Sequence, residues 1–300
     1  MGKKPYPPRL TDIATALKAF AFPARGVESS DHIRQLHWYT ACRLVIEGGF
    51  RPESVLPRPP FVAKKVGKRY MLLHEPAEAK AGERTILGGL KTKSIDVTVS
   101  LPGVGPVVAV SLKGSHNAFR NLTNRMEEAA GDCTNLHMSY PGLVYGFWHV
   151  LRANEEDDPE PVAHFKLQES RYLAADYAIL ANGSLAEGVA RYAHALERLS
   201  DREDLRDHPS KYEACSLTLV GCRGGPPSCA VHNIFPAPGS ILDYNRMFER
   251  LYRIYDDRFV FQAPALKKIT RRLHWDSESP ILQHTILSGG AFDEMRPRVA

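Results

Sequence analysis

The run SIDVTVSLPGVGPVVAVSLKGSHNAFRNLTNRMEEAAGD, Ser94 to Asp132, decides the fold. Ile95, Val97 and Val99 alternate with Ser94, Asp96, Thr98 and Ser100. That period of two puts successive side chains on opposite faces of a strand. Leu101 to Pro106 is a Pro/Gly turn signal. Val107 to Gly114, rich in β-branched residues, reads as a second strand, so the tight turn makes an antiparallel pair. Ser115 or Asn117 can cap a helix that runs to about Asn135. PGLVYGFWHVLRAN, Pro141 to Asn154, then reads as a third, mostly buried strand.

Upstream, a short helix is expected around Thr11–Phe20. A longer amphipathic one is capped by Ser30 and stopped at Gly48-Gly49. Pro52 to Pro60 is a proline-rich connection, and FVAKKV or RYMLLH supplies a short strand. Downstream, Glu155–Pro161 is a solvated acidic loop and Ser184–Arg202 a helix. CSLTLVGC and AVHNIF read as strands, Ile241–Tyr255 as a helix, RFVFQA as strand-like, and LKKITRR as a basic stretch. The expected fold class is α/β, a mixed central β-sheet flanked by helices. Residues 1–60 form a helical N-terminal segment, 61–240 the core, and 241–300 a C-terminal helical, basic segment, all within one compact domain.

Hydrophobic residues make up 43% of the 300 and charged residues 24%, the balance of an ordinary globular protein. No apolar run approaches the ~18 residues of a membrane span. The opening Met-Gly-Lys-Lys lacks an apolar stretch behind it, so a cytoplasmic protein is expected. A net charge of +5 permits a polyanionic partner without demanding one. Five cysteines argue against a disulfide framework. Cys215, Cys222, Cys229 and His232 are spaced more widely than zinc ligands usually are.

Ser111 and Lys113 stand two apart on the second strand and share a face, with Val108, Val110 and Leu112 packed behind. If the connecting loop has even parity, Asp96 joins that face. A lysine beside an aspartate on neighbouring strands is costly to bury unless the two pair or bind a metal. Phosphodiester hydrolysis uses such equipment. A carboxylate-held Mg²⁺ offsets backbone charge and activates water, and a lysine orients that water or holds a phosphate oxygen. The plainer alternatives are a cross-strand ion pair and, for Glu127 and Glu128, the polar face of a helix.

Across about residues 85–152 the sequence resembles the PD-(D/E)XK, restriction-endonuclease-like superfamily, whose pattern is an Asp followed by carboxylate-x-Lys on the next strand. Ile95 stands where the family usually has proline, and Ser111 where it has the carboxylate. One branch carries Ser-x-Lys and takes its second carboxylate from the following helix, about thirteen residues after the lysine. Residues 114–126, thirteen in all, separate Lys113 from Glu127. The resemblance therefore implies Asp96, Ser111, Lys113 and Glu127 as catalytic residues, with Asp96 and Glu127 holding Mg²⁺ and Mn²⁺ as a substitute. Glu128, Glu83 and Glu47 are the next carboxylates to consider, in that order.

The function implied is sequence-specific cleavage of double-stranded DNA. Cutting both strands is most simply done by a homodimer, and the family analogy adds a partner DNA methyltransferase. Asn117, Arg120, Lys267, Lys268, Arg271 and Arg272 are candidate DNA contacts, with Lys64, Lys65, Lys68, Arg69, Lys91 and Lys93 as further cations. Alternatives are a modification-dependent, phage-defence or repair nuclease of the same fold, or a DNA-binding protein whose site has decayed.

Overall fold

A computed structural model describes residues 8–23, 31–117, 121–158, 174–232, 235–283 and 295–300. Two helices lead the chain, α1 (Ile13–Ala21), capped by Asp12, and α2 (Asp31–Ile46). Strands β1 (Val55–Leu56), β2 (Phe61–Val66), β3 (Arg69–His74), β4 (Arg84–Leu87) and β5 (Thr92–Ile95) follow. Then come β6 (Val97–Leu101), β7 (Gly105–Ser115), α3 (Leu122–Ser139) and β8 (Val144–Ala153). The chain continues with α4 (Glu187–Leu199), β9 (Ala214–Gly221), β10 (Ala230–Val231), α5 (Tyr244–Tyr255), α6 (Lys267–Thr270) and α7 (Pro280–Gln283).

The main sheet runs β1-β6-β7-β8-β9-β10. β6 and β7 are antiparallel, with Val97 opposite Val110, while β7, β8 and β9 are parallel. The fold is therefore α/β with a mixed sheet. The parallel centre is buried on both faces, as parallel strands require. Val108, Val110 and Leu112 pack with Trp148 and Val150 against α1, α2 and α5. Ala109, Tyr145, Phe147 and Leu217 pack against α3 and α4 on the other face. The first of these clusters runs from Ala16 to Met295, so residues before 61 and after 240 belong to the same core as the central strands.

Several local readings need correction. The helix after β7 has Asn121 at its N-cap, since Ser115 still belongs to β7. Ser30, expected to cap α2, lies outside the described residues, as do residues 159–161 of the acidic loop and 233–234 of AVHNIF. KSIDVTVS is not one strand. It bends at Asp96, so Ile95 joins the α3 face while Val97 and Val99 join the α2 face. FVAKKV and RYMLLH are both strands, paired as a separate hairpin through Gly67, whose φ of 60° suits a tight turn. RFVFQA is not a strand. Asp256–Phe261 continues α5 as a π-helical turn that buries Arg258 and Val260, and Arg258 is held inside by the buried Glu213. The helix in LKKITRR stops at Thr270, so Arg272 leaves the face it was expected to share with Lys268 and turns inward.

The C-terminal segment is zipped onto the end of α2. Leu273 N donates to Gly49 O, and Trp275 Nε1 donates to Val45 O. Gly49 has φ 68°, and a Cβ there would lie 2.2 Å from Leu273 O, so only glycine permits this approach.

Candidate functional site

The β4–β5 hairpin has the register Arg84↔Ile95, Thr85↔Ser94, Ile86↔Lys93 and Leu87↔Thr92. Extending that ladder by one rung sets Glu83 opposite Asp96 at the open end. The tip is clamped to α3. Asn135 Oδ1 accepts from Leu90 N and Lys91 N, its Nδ2 donates to Lys91 O, and Gly88 lies where a Cβ would strike the Asn135 side chain. Lys91 and Lys93 also pair with Asp132 on α3.

At Asp96 the chain leaves β5 for β6. The β6–β7 ladder ends at Val97↔Val110, and Asp96 Oδ2 takes over as acceptor for Leu112 N at 2.8 Å. A carboxylate bonded to a fixed backbone N–H is oriented without help from flexible side chains. Its other oxygen, Oδ1, lies 3.7 Å from Nε2 of His37, which descends from α2. The His37 side chain is only 9% exposed, and Nε2 has no hydrogen-bond partner. One ligand atom each from His37, Glu83 and Asp96 lies within 4.8 Å of the others, the only such His/Cys/Asp/Glu group among the described residues. Burial pushes the His37 pKa down from 6.5, Asp96 opposes that, and Arg34, His32 and Lys113 reinforce it. Burial and the neighbouring Asp96 raise the Glu83 carboxyl, against Arg34, Lys113 and Lys93. Two facing carboxylates that disfavour each other's charge are relieved by a cation.

Lys113 Nζ contacts Glu128 Oε1 at 3.2 Å, and Arg125 holds the other oxygen of Glu128 at 3.5 Å. His149, level with Lys113 on β8, accepts from or donates to Ser115 Oγ. Burial, with Arg125 and Lys113 adding to it, pushes its pKa down to about 3, so a neutral ring lies beside the lysine.

The expected residues are thus divided. Asp96 and Lys113 lie at the same end of the β6–β7 pair, close enough that both charges act on His37 and Glu83. Ser111 is buried and hydrogen-bonded to Tyr145 Oη at 2.7 Å, outside the ligand group. Glu127 is exposed and does not join that group, while Glu128, one residue on and so rotated ~100° around the helix, reaches Lys113. Asn117 is exposed just past β7, and Arg120 lies outside the described residues. Lys267, Lys268 and Arg271 are exposed. Arg272 is buried, its guanidinium bidentate on Asp256 at 2.9 and 2.6 Å and bonded to Gly48 O, so its hydrogen-bonding groups are engaged within the protein. Cys215 faces α3 and α4, whereas Cys222 and Cys229 belong to the opposite cluster, so the three thiols do not converge on one ion.

Sequence reasoning missed His37 and ranked Glu83 late. Rung parity in the RTIL/TKSI hairpin would have found Glu83. His37 shares the buried part of α2 with Thr40 and Arg43, so its position in the sequence does not single it out.

The zipped C-terminal segment also builds a cleft. Arg51, Lys68, Arg69, Tyr70, Lys268, Arg271 and His274 line a cavity of about 560 Å³. Comparison of the chain with protein-family models, with curated proteins and with solved structures returned no match.

Proposed function

We propose that this chain is a divalent-metal-dependent endonuclease acting on double-stranded DNA, of the sequence-specific restriction type. The observation that carries the reading is the convergence of Asp96, Glu83 and His37 at the end of the antiparallel pair that bears Lys113. Two carboxylates and an imidazole are donors that suit a divalent cation. Such a cation supplies charge neutralisation at the phosphate and acidifies water.

The chain's own groups do the rest. The Leu112 N–H fixes the Asp96 carboxylate, and the hairpin fixes Glu83 against it. Lys113, held in place by Glu128, offers its other N–H groups to a non-bridging phosphate oxygen and orients the attacking water. Water oxygen bonds to phosphorus as its proton passes to solvent, one P–O ester bond breaks, and the leaving oxygen takes a proton from solvent. Two copies about a two-fold axis would cut both strands, and a cognate methyltransferase would shield host DNA. A non-catalytic DNA-binding protein is the second reading, favoured by Ser111 lying on Tyr145 instead of among the ligands. Incubation of methylated and unmethylated plasmid and phage DNA with Mg²⁺ or Mn²⁺, followed by mapping of fragment ends, tests the proposal. Intact DNA under all these conditions rejects it.

The helix carboxylates separate cleanly. Glu127→Gln should cleave within about twofold of wild type, and Glu128→Gln should lose roughly tenfold or more, the scale of a misplaced reacting group. Equal rates for the two variants would remove Glu128 from the site. Ser111→Ala should keep most activity, since a hydroxyl is a weak ligand for a hard cation.

The basic cleft makes a second test. Lys268→Ala and Arg271→Ala should each weaken binding across all DNA sequences and reduce the slope of log K against log salt by about 1. Arg272→Ala should instead lower stability by about 3–5 kcal/mol, because it strips the partner from Asp256 in a largely buried pair. Denaturant melts and salt-dependent binding isotherms of the three variants read both effects. A change in salt slope for Arg272→Ala without loss of stability contradicts the assignment.

A further inference from the structure

The ligand group is not made of oxygens alone. Mg²⁺ prefers one or two carboxylates with retained water, whereas imidazole nitrogen suits the later first-row dications. His37 Nε2 is buried, has no hydrogen-bond partner, and faces the Asp96 carboxylate at a separation too long for a hydrogen bond. A buried polar nitrogen left unpaired keeps the desolvation penalty that a partner would offset. The site therefore carries a penalty that a cation accepting the nitrogen lone pair removes, and a cation bound only through oxygen does not.

We infer that His37 is a metal ligand with Glu83 and Asp96, and that the site selects a first-row transition dication over Mg²⁺, with Mn²⁺, the weakest binder of that series, as the paramagnetic probe and most stringent case. The inference rests on the nuclease reading only for its purpose, since metal selectivity is measurable without DNA. The charges of Arg34 and Lys113 act on His37 and Glu83 and limit the positive charge the group accepts, which favours a single ion. Selection acts through the donor type. Removing the nitrogen should therefore erase the preference for Mn²⁺ while leaving the two carboxylates to hold either ion.

The test uses the full chain, stripped of metal and free of DNA, titrated calorimetrically with MnCl₂ and with MgCl₂. Pulsed electron paramagnetic resonance of the Mn²⁺ complex then looks for coupling to a ligand nitrogen. Wild type should bind Mn²⁺ about tenfold or more tightly than Mg²⁺ and show nitrogen coupling. His37→Gln should lose the coupling and bring the two affinities to within about threefold. Equal affinities in wild type, or a wild-type Mn²⁺ spectrum without nitrogen coupling, overturns the inference, and neither readout depends on the variant folding. Plasmid added to the same samples separates the two ideas. Nitrogen coupling without cleavage rejects the nuclease reading alone, and cleavage without nitrogen coupling rejects the His37 ligand alone.

Discussion

Asp96→Asn should leave the protein folded and cleavage lost by roughly 10²–10³-fold or more, the range for removing one preorganised electrostatic group. The asparagine side chain keeps an oxygen that can accept from Leu112 N, so the end of the β6–β7 ladder stays capped. Its missing charge weakens the attraction for a cation beside Glu83 and His37. Asp96→Ala makes a harsher comparison, because it also orphans the Leu112 N–H. Lys113→Ala should fall by a similar factor while DNA affinity is nearly unchanged, one lysine being a small part of a many-phosphate interface. In the absence of metal, Asp96→Asn should bind DNA at least as well as wild type, since a negative charge near phosphate has gone. First-order rates on supercoiled plasmid and mobility shifts without metal make the two measurements. A rate for Asp96→Asn within tenfold of wild type would rule out Asp96 as the central carboxylate.

Glu213→Gln should cost about 3–5 kcal/mol of stability, the price of removing one partner from a buried ion cluster. Glu213 has no exposed side-chain surface. Its Oε1 accepts from Arg202 at 2.7 Å and from Arg258 at 2.6 Å, and its Oε2 accepts from Tyr145 N at 2.7 Å with His137 3.5 Å away. These partners come from α3, β8, the segment after α4 and the π-helical turn after α5, so one carboxylate joins both helical layers to the sheet. Glutamine preserves the shape and leaves two guanidinium groups buried without their counter-charge. Against a total stability of ~5–15 kcal/mol, the loss is large. Burial pushes the Glu213 carboxyl up, but His137, Arg258 and the Tyr145 N–H outweigh it and hold the pKa below its usual 4.5. A depressed carboxyl stabilises the fold above the unfolded value and loses that contribution as pH falls through the folded one. Wild type should accordingly lose stability as pH drops below about 4.5, and Glu213→Gln should show a flatter acid limb. Urea melts between neutral and acidic pH measure both, and an unchanged midpoint for the variant at neutral pH would mean that the cluster contributes little.

What could be read from the chain depended on how local each cause was. The β6–β7 pair and the parity that puts Ser111 and Lys113 on one face follow from period-two patterning and a Pro/Gly turn, and β8 follows from its continuous apolar run. A helix after β7 is legible too, but it starts at Leu122 behind Asn121 and not at Ser115 or Asn117. The bend at Asp96 does not, since Ser94 to Ser100 alternates without interruption and only packing moves Ile95 to the opposite cluster. The helix carboxylate was chosen by spacing, and spacing along a helix does not fix which of two adjacent glutamates faces the sheet. Arg272 looked like its exposed neighbours until the helix stopped short and Asp256 captured it. His37 is joined to Asp96 by tertiary packing across 59 residues, 96 minus 37 in sequence number, and no local pattern announces it.

The open end of the β4–β5 hairpin has a consequence for how such a centre is inherited. Glu83 and Asp96 are separated only by residues 84–95, so their meeting requires one short loop closure. The acidic pair is thus a self-contained module whose spacing is written within the hairpin and is indifferent to the length of the loops around it. Adding one residue to each strand moves the tip outward and keeps the pair opposed. Adding one residue to a single strand slips the register and parts them. The imidazole has no such autonomy, because it arrives on a helix whose position is set by the whole core. Sequence drift should therefore leave the two acids together long after the histidine has been exchanged, and the identity of the ion should change more readily than the capacity to hold one.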